Sequence, residues 1–226
     1  MTEDDKEREM MRHIAVGSLT LFIATAVTAL PVAADPIAFK TLYMSRATFT
    51  TDAPLETIVG NTSGAGVTGS LTVDPAKPRG VKGVIKVDLT TVKTGIDKRD
   101  ADMRGKDYLD TENEANRFAV FEIKSVDIAG PLEPGREMPA RVRGMLTIKQ
   151  KPVEVVADAR VSYVKLTPEQ LENQGQKKFG FTSDVLKIRA KFDTKFTNHG
   201  MQVPQLLFLK VSNDIQLETD LTLVRE

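Results

Sequence analysis

The stretch GVIKVDLTTVKTGIDKRDADMRGKDYLD, from Gly83 to Asp110, decides the fold. In its first part the apolar residues Ile85, Val87 and Leu89 alternate with polar ones. A period of two is typical of a strand with one buried face. The pattern therefore predicts a β-strand over 81–91.

The second part of this stretch changes character after Gly95. The charge-rich sequence DKRDADMRGKDYL predicts a helix over 97–109, with Asp97 as its N-cap and Asp100 in the first turn. A short polar helix that directly follows a half-buried strand, in a chain full of alternating strands, indicates a segment that closes one end of a sheet structure.

The same alternation recurs along the chain. The predicted strands are 39–51, 67–74, 81–91, 118–128, 140–150, 151–164, 182–196 and the final stretch 206–224, which is interrupted at 212–214. Most have one apolar and one polar face, and no set of helices is present to cover a sheet. The sequence therefore predicts an all-β fold, an eight-stranded antiparallel barrel with a short helix at one end.

Shorter signals support this layout. The link Lys149-Gln150-Lys151 predicts a hairpin, and Thr167-Pro168-Glu169-Gln170 predicts a capped surface helix to about Asn173. Glycines between Gly60 and Gly69 resemble a phosphate loop, but no GK[ST] follows, so a bend in the barrel wall is favoured.

The N-terminal segment is predicted to be a cleaved signal peptide, residues 1–34, which leaves one barrel domain, residues 35–226. An uncharged apolar run, Ile14 to Leu30, precedes small residues that suit cleavage after Ala34. The acidic residues before it are atypical and point to Met10 or Met11 as the start. An uncleaved anchor is the alternative. Both alternatives imply export to the periplasm or secretion.

Composition narrows the function classes. The predicted leader holds three of the 31 Lys and Arg and five of the 31 Asp and Glu, so the mature chain is near +2 with mixed signs. That balance argues against a nucleic-acid partner. There is no cysteine, which removes disulfides, thiol chemistry and thiolate metal sites.

Catalytic candidates are few. His199, the one histidine outside the leader, has no nucleophile near it in sequence. The carboxylates of Asp97, Asp100, Asp102 and Asp107 resemble a metal cluster, but basic residues are interleaved with them, which favours a solvated, ion-paired face. The sequence predicts no enzyme, no metal and no cofactor.

Alternation also predicts the residues that line the barrel interior. They are Phe49, Ile85, Val87, Leu89, Phe121, Ile123, Leu146, Ile148, Val155, Ile188, Phe192, Leu207 and Leu209, with Met103 and Tyr108 of the helix closing one end. Either they surround a ligand cavity or they are plain core, and alternation alone does not separate the two.

Several of these stretches together resemble the YceI-like family. The signature region is Thr94-Gly95-Ile96, then Arg99-Asp100, Tyr108-Leu109-Asp110 and the strand that begins at Phe118. The likeness continues over 46–74, over 144–148 and through the ending from Gly200 to Asp214, so it covers nearly the whole mature chain.

The resemblance implies a lipocalin-like barrel, secreted or periplasmic, whose apolar cavity holds a long-chain amphiphile. A polyisoprenoid, an isoprenoid quinone or a fatty-acid derivative is the implied ligand. The implied role is noncatalytic binding or transport, and some members are linked to stress responses. Peripheral membrane contact and a monomer or homodimer are further expectations.

Three positions depart from the family pattern. Asp102 stands where a His is frequent, and Arg117 stands where a Pro is usual. The turn at Lys149-Gln150-Lys151 is shorter and lacks the usual Gly. The helix is therefore where the family's ligand contacts transfer least directly.

Two other functions remain alternatives on the sequence. One is a hydrolase or isomerase that acts on a lipid-like substrate in the barrel, with His199 or Tyr108 as the acid–base group. The other is a structural or interaction module whose barrel is filled by its own side chains.

Overall fold

The computed structural model describes residues 35–206 and 209–226, except for the side chains of Leu206 and Leu209. Within that range the strands are β1 (Ile37–Thr41), β2 (Arg46–Ala53), β3 (Glu56–Thr62), β4 (Val67–Val73), β5 (Lys82–Asp88), β6 (Val92–Lys93), β7 (Phe118–Ile128), β8 (Glu137–Ile148), β9 (Lys151–Lys165), β10 (Asp184–Lys195), β11 (Gln205–Leu206), β12 (Leu209–Lys210) and β13 (Asp214–Arg225). The helices are α1 (Asp97–Arg104) and α2 (Pro168–Glu172). The predicted leader, residues 1–34, lies outside the described residues.

The sheet closes on itself as an eight-stranded antiparallel barrel, as predicted. In three walls the strand is broken in two: β1 with β2, β3 with β4, and β5 with β6. The other five walls are β7, β8, β9, β10 and β13. Each wall pairs with its sequence neighbour, and β13 closes the ring by pairing with both β1 and β2. Closure removes the unpaired edges that an open sheet would expose.

The first wall corrects one prediction, because the expected single strand over 39–51 is interrupted at residues 42–45. At this bulge the fully buried Ser45 takes the place of a backbone partner. Its Oγ donates to the carbonyl of Thr222 at 3.0 Å and accepts from the N–H of Thr222 at 3.1 Å. The side chain thereby keeps the ladder to β13 satisfied across the break.

The second wall bends where glycines predicted a bend. β3 ends at Thr62 and β4 begins at Val67, and Gly64 between them has a φ of 57°. Such a φ suits glycine and is costly for other residues. The glycines between Gly60 and Gly69 serve strand geometry and do not precede a helix, so they form no phosphate loop.

The stretch from Gly83 to Asp110 is more segmented than predicted. The strand ends at Asp88, whose side chain accepts from the N–H of Thr90 and starts a 3₁₀ turn over Leu89–Thr91. Helix α1 stops at Arg104 and does not reach Leu109, because Gly105 adopts an extended conformation. Asp97 is the first helical residue, and Ile96 occupies the N-cap position.

The hairpin and the capped helix are present as predicted. Lys149 and Gln150 connect β8 to β9 with φ values of 49° and 59°, the signature of a two-residue turn that matches strand twist. At α2, the Thr167 hydroxyl and the Gln170 side chain form a reciprocal capping box.

Four of the segments that connect or begin strands lie at one end of the barrel. The β2–β3 turn, α1, the β8–β9 turn and the start of β13 lie at the same end, called here the mouth. The start of β1 and the end of β13 lie at the far end, where Glu226 donates its N–H to the carbonyl of Ala38 at 3.0 Å. No helix among the described residues is long and apolar enough to cross a bilayer.

Candidate ligand-binding cavity

The inner chamber is an apolar cavity of about 190 Å³ in the barrel body. It exists because inward positions on eight walls carry apolar side chains and the alternating outward positions carry charged ones. Many of the inward residues are small: Ala157 of β9, Ala190 of β10 and Ala47 of β2 all line it. Small residues leave volume that larger ones would fill.

The outer chamber is a second cavity of about 430 Å³ at the mouth. Helix α1 and the loop after it cover it through Met103, Tyr108 and Leu109, and Phe196 and Val211 approach from the other side. Together the two chambers fall within the range of ~300–1,000 Å³ typical of small-molecule pockets.

Five residues line both chambers and so form the wall between them. These are Phe49, Leu89, Val92, Ile148 and Leu217, contributed by different strands and by the 3₁₀ turn after β5. The wall is wholly apolar, so a hydrocarbon chain that crosses it meets no polar side chain.

Aromatic rings crowd the inner side of this wall. Phe49 is the strand partner of Gly60, and a Cβ atom on Gly60 would lie 2.1 Å from Cε1 of Phe49. Phe121 covers Gly144 in the same way, with 2.3 Å to Cζ. Each glycine therefore makes room for the aromatic ring that covers it. The ring centroid of Phe192 is 5.6 Å from that of Phe121.

Helix α1 is fastened to the mouth by a buried carboxylate. Asp100 accepts from the hydroxyl of Thr94 at 2.6 Å and from its N–H at 2.8 Å. Burial raises the pKa of Asp100, but these two hydrogen bonds outweigh it and hold the pKa below its usual value. Asp100 is thus a structural anchor and not one member of a metal cluster.

A second tie joins α1 to β3. Arg99 pairs with Glu56 at 3.1 Å, and its side chain is only 22% exposed. The neighbouring Lys98 and Asp102 form an exposed pair at 2.9 Å within the helix. All four residues line the outer chamber, and their charges are matched in pairs. Asp102, one of the departures from the family pattern, therefore stands at the mouth beside a lysine.

His199 is not placed for catalysis. It is fully buried and lines neither chamber. Its Nδ1–H donates to the carbonyl of Lys151 at 3.2 Å, and its Nε2 accepts from the Thr194 hydroxyl at 2.9 Å. Burial lowers its pKa, offset in part by the bond to Lys151, so the ring is neutral. It holds the end of β10 to the start of β9.

The described residues contain no group of three or more His, Cys, Asp or Glu side chains that could hold a metal ion. Tyr108, the other acid–base candidate, does line the outer chamber. Among the described residues, no hydrogen-bond partner of its hydroxyl is present that would orient it as a proton donor or acceptor.

The structure brings most of the predicted lining residues together. The inner chamber contains Phe49, Ile85, Val87, Leu89, Phe121, Ile123, Leu146, Ile148, Ile188 and Phe192, and the outer chamber contains Met103 and Tyr108. Their contact with a ligand stays a prediction.

Three predicted lining residues stand apart. Val155 faces inward but lines neither chamber, because it is buried in a cluster with Ile148, Met201 and Ile215 that fills the space around it. Leu207 lies outside the described residues. Leu209 pairs with Leu206 through its backbone, and its side chain lies outside the described part of the structure.

Other lining residues were not predicted. Val142, Val161, Leu217 and Leu221 occupy the same faces as predicted neighbours, so the period-two pattern could have found them. Met201, Pro204 and Val211 line the outer chamber from segments without periodicity, and only the tertiary fold brings them to the mouth.

The geometry defines a class of protein: a closed antiparallel barrel with an apolar interior and a helix that covers the chamber at its mouth. The sequence profile of the YceI-like domain matches residues 43–223. The chain belongs to the YceI-like family. No curated protein sequence matches it.

Solved structures share the fold at low identity. A polyisoprenoid-binding domain from Saccharophagus degradans, implicated in plant cell wall breakdown, is 16% identical with a TM-score of 0.59, and the match covers 84% of this chain and 99% of that one. Burkholderia cenocepacia BcnA is 17% identical with a TM-score of 0.57, over 79% and 95% of the two chains. A Campylobacter jejuni YceI protein is 16% identical with a TM-score of 0.54, over 74% and 84%.

Proposed function

We propose that this protein binds a long-chain amphiphilic lipid in the barrel and carries it without chemical change. A polyisoprenoid, an isoprenoid quinone or a fatty-acid derivative is the ligand class. The observation that carries the proposal is the apolar inner chamber, which meets a largely apolar outer chamber at an apolar wall. Each buried CH₂ contributes about 0.8 kcal/mol, so a long tail binds without a polar anchor.

The family supports the same role. The chain belongs to the YceI-like family, and one protein of the same fold is described as a polyisoprenoid-binding domain. His199 is neutral and hydrogen-bonded away from both chambers, and Asp100 has a structural role, so the described residues offer no oriented acid–base pair; this favours binding over catalysis.

We further propose that the protein acts in the periplasm or after secretion, following cleavage of residues 1–34. The mouth would meet lipid at a membrane surface, where exposed Leu55 and Ile96 flank it. We propose that it acts as a monomer or a homodimer, and the closure of the sheet within one chain supports this.

Native mass spectrometry of protein purified from its own host tests the proposal, with extraction and identification of bound lipid. A stoichiometric prenyl or acyl lipid is the expected result. Protein that repeatedly arrives empty, and that takes up no prenyl or acyl lipid from vesicles, would refute it. Amino-terminal sequencing of the exported protein tests cleavage after Ala34.

A further inference from the structure

We propose that Phe49, Phe121 and Phe192 form an aromatic gate that decides how long a chain the barrel accepts. A short chain binds in the outer chamber alone, whereas a long chain must part the rings to reach the inner chamber. The inference rests on the proposed function and adds to it the residues that determine chain-length specificity.

The position of Phe49 is the first support. It lines both chambers, so its ring belongs to the boundary itself. In the strand register Phe192 pairs with Leu217, Leu217 with Phe49, and Phe49 with Gly60. These four residues form one level across β10, β13, β2 and β3, and two aromatic rings project inward from that level.

The contact between Phe121 and Phe192 is the second support. Phe121 is on β7 and Phe192 is on β10, and strands β8 and β9 lie between them. Three strand intervals separate their backbones by roughly 14 Å along the wall. The ring centroids are nevertheless only 5.6 Å apart, so the rings meet over the two intervening strands, within the lumen.

The glycines beneath the rings are the third support. Gly144 lies under Phe121 and Gly60 under Phe49, and a Cβ at either position would collide with the ring above it. The chain keeps glycine at two inward wall positions where a larger apolar residue would otherwise add burial. These glycines provide the space that the rings occupy inside the barrel.

The gate is able to open because only apolar contact holds it. No ring in it carries a polar atom, and an aromatic pair of this kind changes an equilibrium or a rate by about two- to tenfold. A chain that contacts the parted rings replaces the lost contact. Opening therefore slows the binding of long chains without preventing it.

Prenols of increasing length test the gate, because they share one headgroup. Labelled geraniol, geranylgeraniol and solanesol are delivered from phosphatidylcholine vesicles to the full chain. Association rates and affinities are measured for the wild type, Phe192→Ala and Phe121→Ala. We expect both variants to bind solanesol about two- to tenfold faster than the wild type and to bind geraniol at an unchanged rate.

Two further variants keep the result interpretable. Phe192→Leu retains apolar bulk and serves if Phe192→Ala does not fold. It is expected to change the association rate of solanesol in the same direction. Phe196→Ala is the matched control, since it removes a ring from the outer chamber only and should weaken all three prenols alike.

The outcomes separate the two proposals. Prenol binding with the same dependence on chain length in the wild type and in the ring variants would overturn the gate and leave lipid binding intact. A wild-type protein that binds no prenol and no acyl lipid would overturn the proposed function and the gate with it.

Discussion

Arg117 donates from Nε and from a terminal nitrogen to Oδ2 of Asp88, at 3.1 and 2.9 Å. The pair joins the residue before β7 to the end of β5, beside the 3₁₀ turn that leads to the wall between the chambers. Arg117 also lies 5.3 Å from the ring centroid of Phe118. A position where the family usually has proline thus carries a fork of charge-assisted hydrogen bonds in this chain.

Replacing Arg117 with Ala should lower the free energy of unfolding only slightly at neutral pH, since the pair is partly exposed and screened by solvent. Urea denaturation measures the loss. Arg117→Lys keeps the charge but loses the two-pronged hydrogen bond, so its free energy of unfolding should lie between those of the wild type and Arg117→Ala.

The same variant has a predicted pH dependence. Burial raises the pKa of Asp88, but hydrogen bonds from Arg117 and Thr90 outweigh it, so the folded pKa is below the ordinary 3.8. The Arg117 contribution is therefore complete above about pH 4 and disappears as pH falls through the folded value. A difference between wild type and Arg117→Ala that persists in strong acid would contradict this account.

Adding one methyl group at Gly60 should strain the wall between the chambers. Gly60→Ala places a Cβ against the Phe49 ring, and overpacking of this kind costs roughly 1–3 kcal/mol. Phe49→Leu in the same chain should recover much of that loss. Thermal unfolding of both single variants and the double variant measures the coupling, and strictly additive effects would show that the two side chains do not compete for the space.

A buried hydrogen-bond network at the far end should make folding sensitive to acid. Asp184 is 4% exposed and accepts from the hydroxyl of Tyr163, from Ser183 and from Arg225. Burial raises its pKa, but these donors outweigh it and bring the pKa below 3.8. The network's stabilisation is complete above about pH 4 and is lost as pH falls through the lower folded value.

Asp184→Asn should therefore destabilise the barrel by about 2 kcal/mol at neutral pH and by less in acid. Tyr163→Phe is the milder comparison, because Ser183 and Arg225 still satisfy the carboxylate. Equal losses for Asp184→Asn at neutral and acidic pH would sink this interpretation.

His199 should add a second acid-sensitive step at higher pH. Its folded pKa lies below the ordinary 6.5, so the unfolded chain takes up a proton first as pH falls. Stability is complete above about pH 6.5 and declines below it until the folded pKa is passed. Urea titrations of wild type and His199→Gln at about pH 7.5 and about pH 5 measure the difference.

The variant should be less stable than wild type at the higher pH, and the gap should narrow at the lower one. Since His199 touches neither chamber, lipid uptake by folded His199→Gln should equal that of the wild type. Loss of lipid uptake by folded His199→Gln would instead show that His199 takes part in the ligand-binding site.

Alternation predicted the barrel because it reports burial directly. Alternation missed the break in the first wall, where the side chain of Ser45 takes the place of a backbone hydrogen-bond partner. The helix predicted from the charge-rich stretch was too long, because the extended backbone of Gly105 ends it at Arg104. The inner chamber could be read from strand faces such as those of Ile85 and Phe121. The outer chamber could not, because Met201 and Val211 reach it through loops whose placement depends on contacts distant in sequence.

Because β1 pairs with the end of β13, both ends of the described chain lie at the far end of the barrel, opposite the mouth. A tag or a tether at either end of the described chain would hold the far end of the barrel and leave the mouth free. A sensor surface loaded through either terminus should thus leave ligand exchange undisturbed. By the same geometry, a molecule that enters the outer chamber approaches the barrel from the end opposite its two termini.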